Sequence, residues 1–183
     1  MTFTCPDIAY TVNKVSQFMH CPMDTYWVAV KRILGYIKST SSHGLFLSHT
    51  TTTLLHGYTN FYWGGDVDDR KSTTGFAIYL GNHLISWSSQ KQHVVSRSST
   101  EAEYRALAVA TSELTRLSSF FRDIGSFNSS TPILWCDNLS ATYLNVNPIF
   151  HSRTKHMVID FHFVRDKVHA KSLSICYVVH MIK

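Results

Sequence analysis

The sequence predicts an α/β fold, in which one mixed sheet carries helices packed against it. Three observations lead there. Two strand-like runs, 76–80 and 84–88, have Gly81-Asn82 between them, a hairpin signal. Ser98 and Glu101 are spaced as a capping box, and the stripe Leu107, Ala110, Leu114, Leu117 and Phe121 follows at helical period. Residues 133–136 then form a short apolar run ending in Asp137-Asn138. Antiparallel hairpins come first and crossover helices later, the order expected of one mixed sheet with helices packed on it.

Taken from the start, Pro6 and Asp7 suit a helix N-terminus, and Ile8, Val12, Val15 and Met19 recur at helical spacing. Cys21-Pro22 interrupts. Trp27, Val30, Leu34 and Ile37 mark a second helix that runs out in the Ser/Thr stretch 39–42, and 44–47 suits a short strand. Threonines at 50–53 read as linker, 54–59 as a strand, and Gly64-Gly65 with the charged 66–71 stretch as a turn. After the long helix, Gly125 suits a stop. A short helix is expected over 140–144, another over 157–169, and a last strand over 173–179.

Composition narrows the function classes. The formal charge is +5, compatible with nucleic acid but too mild to argue for it alone. No stretch is apolar enough for a bilayer span and no basic, apolar leader opens the chain, so no membrane role is expected. Cys5, Cys21, Cys136 and Cys176 lie far apart without a C-x-x-C pair, which fits reduced cysteines in an intracellular protein, cytoplasmic or nuclear, rather than a disulfide framework or zinc cluster.

The chain has three glutamates, Glu101, Glu103 and Glu113, all on the long helix. Glu101 and Glu103 diverge by about 200 degrees on a 3.6-residue turn, so one can cap or meet solvent while the other points at the sheet. Asp137 ends an apolar strand, where α/β sheets open into their ligand crevice. A helix on the sheet and an adjacent strand end can bring Glu103 and Asp137 together, and a divalent cation relieves the repulsion of two close carboxylates. Paired cations could then position a water and stabilise the leaving oxygen of a phosphodiester. Arg70, Lys71, Lys91, Arg97, Arg153 and Lys155 flank that face and are candidates for phosphate contact. The histidines at 151, 156 and 162 lack paired metal-ligand spacing, Asp160 suits a surface or cap position, and Trp63 and Trp87 are expected in the core.

Beyond periodicity, whole strings carry a resemblance. DDRKSTTG from Asp68, GFAIYLGNHLISWSSQKQ from Gly75, VSRSSTEAEYRAL from Val95, LWCDNLSA from Leu134, NPIFHSRTKH from Asn147 and the IDFHFVR ending at Arg165 occur in order. Together they resemble the ribonuclease H domain of copia-type retrotransposon Pol polyproteins. Upstream, PDIAYTVNKVSQFMH and WVAVKRILGYIK resemble the connection that follows the polymerase in the same polyproteins. The resemblance implies a ribonuclease-H-like mixed five-stranded sheet with flanking helices, preceded by a helical connection segment. It divides the chain into a connection at 1–47 after a missing polymerase, a linker at 48–53, and a C-terminally truncated ribonuclease-H-like domain at 54–183. No Y-x-D-D polymerase motif is present.

The family cuts RNA in RNA–DNA hybrids with acidic residues that hold two Mg2+ ions. Its first acid lies in a motif of the form G-Y-S-D-A-D-W-A-G-D, where this chain reads Gly57-Tyr-Thr-Asn-Phe-Tyr-Trp-Gly-Gly-Asp66. Asn60 takes the place of the first catalytic aspartate and Tyr62 that of the second acid, while Trp63 and Asp66 match. Glu103 and Asp137 correspond to the family's glutamate and its C-D-N aspartate. The last acid, expected beyond the final strand, is not reached. Weak or absent hydrolysis is therefore expected. An active hybrid-specific endonuclease and a non-catalytic nucleic-acid-binding module remain the alternatives, and oligomeric state is left open.

Overall fold

The computed structural model describes residues 4–49, 52–65, 69–126, 130–137 and 158–178. A 3-10 turn, Pro6–Ile8, leads into α1 (Ala9–Ser16), followed by α2 (Asp24–Ser39). Three strands come next, β1 (Leu55–Tyr62), β2 (Thr73–Leu80) and β3 (His83–Lys91). The long α3 (Ser99–Asp123), β4 (Ile133–Cys136), α4 (Val158–His169) and β5 (Ser174–Tyr177) complete the order. The strands form one five-stranded sheet ordered β3-β2-β1-β4-β5. Both β1 with β2 and β2 with β3 pair antiparallel, whereas β1 with β4 and β4 with β5 pair parallel. The α/β mixed sheet with flanking helices is thus the fold that forms.

Local chemistry explains most boundaries. Leu80 pairs with His83 across Gly81-Asn82, and Gly81 sits at φ 57°, the positive value that a II′ turn needs at its first central position. Ser98 Oγ accepts the Glu101 N–H at 3.1 Å and caps α3. At its other end Gly125 adopts φ 69°, the Ser126 N–H donates to the Phe121 carbonyl and the Gly125 N–H to that of Arg122, which is a Schellman stop. The run 44–47 forms no strand: it pairs with nothing, and Phe46 is 87% exposed. The first helix ends at Ser16, short of Met19. The expected helix at 140–144 lies outside the described residues.

The core sits between the sheet and two helices. Leu55, Ile78 and Leu134 from the strands meet Leu107, Ala110 and Leu114 of α3 and Phe161 and Val164 of α4. Gly57 makes this approach possible, since a β-carbon there would lie 3.2 Å from Ile78 Cγ1 and 3.5 Å from Leu134 Cδ1. Among the described residues no helix is long and apolar enough to cross a membrane. All four cysteines are free thiols.

The stop of α4 repeats the Schellman pattern with a different residue. The Ser172 N–H donates to the Lys167 carbonyl and the Lys171 N–H to that of Val168, with Lys171 at φ 53°. A side chain in this left-handed region costs roughly 1–2 kcal/mol, which glycine avoids at a smaller entropic cost in the unfolded chain. Lys171→Gly is therefore expected to stabilise the fold by about 0.5–1 kcal/mol, measurable as a higher urea midpoint. A lower midpoint would show that the Lys171 side chain contributes more than its strain removes.

Candidate active site

Asn60, Glu103 and Asp137 come from three elements, and topology decides how they stand to one another. The parallel register pairs His56 with Ile133, Gly57 with Leu134 and Tyr58 with Trp135. Asn60 and Asp137 each lie two residues beyond the last of these pairs, towards the carboxy ends of the two strands. Alternation along β1 buries Thr59 (6% exposed) and exposes Asn60, whose Oδ1 accepts the Phe61 N–H at 2.7 Å. Along β4, Leu134 and Cys136 are buried, and Asp137, the residue after the strand, is half-buried.

Glu103 reaches this region from the other side. Glu101 accepts the Arg97 N–H at 2.7 Å and pairs with Arg105 Nη2 at 2.7 Å, so it serves the start of α3. Two residues on, Glu103 is only 1% exposed. The two glutamates therefore divide as their helical angle requires. Tyr104, fully buried, has its phenol pushed well above the ordinary tyrosine value, first by burial and then by Glu103 and Cys136. Tyr104 and Cys136 share the buried core, which puts the amino end of α3 against the carboxy end of β4. Glu103 is thus buried on α3, while Asn60 is exposed near the end of β1 and Asp137 is half-buried just past the end of β4. A ligand shared by all three would sit at the rim where β1 and β4 end.

The remaining candidates separate. Tyr62 is 60% exposed and its ring lies flat on Gly65, where a β-carbon would come within 1.7 Å of it. Asp69 forms ion pairs with Lys71 (3.6 Å) and Lys91 (3.0 Å), and Lys91 Nζ also donates to Gln17 Oε1 at 3.0 Å. Lys91 is thereby a bridge from the turn before β2 to the end of α1, not an uncommitted phosphate contact. Arg70, at φ 56°, and Arg97 are exposed and, among the described residues, form no ion pair. Arg153, Lys155, His151, His156, Asp66 and Asp68 lie outside the described residues. His162 is exposed with Nδ1 at 2.9 Å from Arg165.

Two expectations need correcting or refining. Trp63 is not a core residue: it is 53% exposed, with its indole N–H donating to the Ser96 carbonyl at 3.2 Å, because one hydrogen bond at the strand's end holds it over the surface. Trp87 is half-buried on β3. Asp160 is half-buried in the first turn of α4, where burial raises its carboxyl above the usual range and Arg105 opposes the rise. Glu113 is a structural acid, held below the usual range by Arg116 and then Ser86. Sequence reasoning missed the Lys91 bridge and the role of Arg105. Only the 3-to-4-residue spacing of Glu101 and Arg105 on a helix signalled the second. Among the described residues no group of three or more His, Cys, Asp or Glu side chains is placed to hold a metal ion.

No protein-family model matches the chain. Among curated proteins it is similar to the retrovirus-related Pol polyprotein from transposon RE2 of Arabidopsis thaliana, 49% identical over 178 residues, covering 97% of this chain and 12% of that protein. The Pol polyprotein from transposon TNT 1-94 of Nicotiana tabacum is 37% identical over 175 residues, 96% of this chain and 13% of that protein. The secreted RxLR effector protein 161 of Plasmopara viticola is 45% identical over 113 residues, 62% of this chain and 80% of that protein. The chain thus spans about an eighth of the length of the Pol polyproteins it matches.

Solved structures agree on fold. LC11-RNase H1, isolated from compost, matches with TM-score 0.53 at 14% identity, covering 70% of this chain and 86% of that one. The foamy viral protease-reverse transcriptase in complex with dsDNA matches with TM-score 0.56 at 10% identity, covering 99% of this chain and 36% of that one. Such identities speak for fold alone: the chain has a ribonuclease-H-like fold, and over 97% of its length its sequence matches one part of retrovirus-related Pol polyproteins.

Proposed function

We propose that this domain descends from an enzyme cutting RNA in RNA–DNA hybrids and that its own hydrolysis is weak or lost. The observation that carries the reading is Asn60, a neutral amide exposed near the carboxy end of β1. Glu103 and Asp137 are the acids that would hold Mg2+. With Asn60 they supply two carboxylates and one amide, and the amide oxygen already accepts the Phe61 N–H. An amide can touch a hard cation but does not offset repulsion between two of them, so this donor set does not fit a pair of Mg2+ ions. No hydrolytic step is routed through it. Arg70 and Arg97, with Lys71, Arg153 and Lys155, are the proposed phosphate contacts. Residues 1–47 are read as the connection, 48–53 as the linker and 54–183 as the ribonuclease-H unit, working in the cytoplasm or nucleus.

Calorimetric titration with Mg2+ tests the donor set, with weak binding of at most one ion as the expected isotherm. Tight uptake of two ions would sink the reading. A retained grip on hybrids is the second reading, favoured by the exposed guanidinium groups of Arg70 and Arg97, which form no ion pair among the described residues. It would show as binding without turnover that weakens steeply with salt.

A further inference from the structure

We infer that the chain carries a phosphate-binding pocket at the end of the molecule opposite the candidate active site. A concavity of about 340 Å³ opens between the C-terminal turns of α3 and α4, just where β4 and β5 begin, with Arg122, Lys167 and Lys171 on its walls. Among the described residues no carboxylate lines it, and none of these three cations forms an ion pair. Arg122 follows Glu103 by nineteen positions on α3, which is about 28 Å along the helix axis. The pocket is therefore physically separate from the rim of β1 and β4.

The ordinary reason for cations at helix C-termini is to cap the last carbonyls. Here most of those carbonyls are already served. The backbone N–H groups of Gly125 and Ser126 close α3, and those of Ala170, Lys171 and Ser172 close α4. Ser172 Oγ donates again to the Lys167 carbonyl at 2.9 Å, and Thr131 Oγ1 donates to that of Lys171 at 3.1 Å. The two helix ends oppose an anion with roughly half an elementary charge each, against three full positive charges. The balance favours the anion. Lys171 adds a separate sign: it stands at φ 53° where glycine would relax the chain, so its side chain is kept at the expense of backbone strain.

The ligand class is a tetrahedral phosphate, either the free anion or a phosphodiester of a nucleic-acid backbone, since a guanidinium and two ammonium groups provide charge-assisted donors for its oxygens. Low-salt calorimetry of the full chain with sodium phosphate, and separately with a short single-stranded DNA oligonucleotide, tests this. The variants are Lys171→Gly, expected to be more stable, and Arg122→Gln. Each should weaken binding by about tenfold or more, which misfolding cannot explain for a protein that melts higher. Oligonucleotide binding that phosphate displaces would assign the backbone as source, while binding of phosphate alone would assign the free anion. No binding of either probe by the unaltered chain, or unchanged affinity in both variants, would overturn the pocket. Neither variant touches Asn60, Glu103 or Asp137, so this result stands apart from any failure at the candidate active site.

Discussion

Asn60→Asp is expected to raise Mg2+-dependent cleavage of a labelled RNA–DNA hybrid by roughly 100-fold or more over the unaltered chain, the scale of restoring one preorganised electrostatic group. The reasoning is local. Position 60, like Asp137, lies two residues beyond the last β1–β4 pair, so a carboxylate there adds a second negative charge at the end of the strands where Asp137 stands. It can also go on accepting the Phe61 N–H. The position is exposed on β1, so stability should change by no more than about 0.5 kcal/mol and a change in activity will not be a folding artefact. Adding Glu103→Gln should abolish the gain. Cleavage by the unaltered chain equal to that of Asn60→Asp would remove Asn60 as the cause of any deficit. Silence in both, with both folded, would move the defect to another acid.

Tyr104→Ala is expected to cost about 3–5 kcal/mol and to lower the melting temperature by roughly 6–20 °C. Tyr104 is fully buried on α3, and its ring meets Phe161 of α4 at 5.8 Å between centroids. Removing it opens a void between the two helices that cover β1 and β4. Thermal unfolding followed by circular dichroism would measure the loss. A cost below about 1 kcal/mol would mean that α4 is not part of the cooperative core. Because Glu103 precedes it on the same turn, the substitution should also disorder the buried acid.

Much of the fold was legible because its signals are local. Gly81-Asn82, the Ser98–Glu101 cap, the α3 stripe and Gly125 each act through neighbours within a few residues, and each forms what its pattern predicts. The run 44–47 misled for the complementary reason: an apolar stretch becomes a strand only if an edge is there to pair with it. The substitution at Asn60 was equally plain, since a motif position is read one residue at a time.

What the sequence by itself determined is the kind of elements, their order, the family and the exchange of a carboxylate for an amide at position 60. Tertiary structure alone decided which residues share a face or a cavity. It buried Glu103 on α3 and left Asn60 exposed and Asp137 half-buried near the ends of β1 and β4. It also tied Lys91 to Asp69 and Gln17, and gathered Arg122, Lys167 and Lys171 into one pocket. The reason is physical. Short-range preferences act through bonds and turns between near neighbours, whereas these meetings depend on crossovers that return distant segments to the same place, and no local pattern encodes where they land.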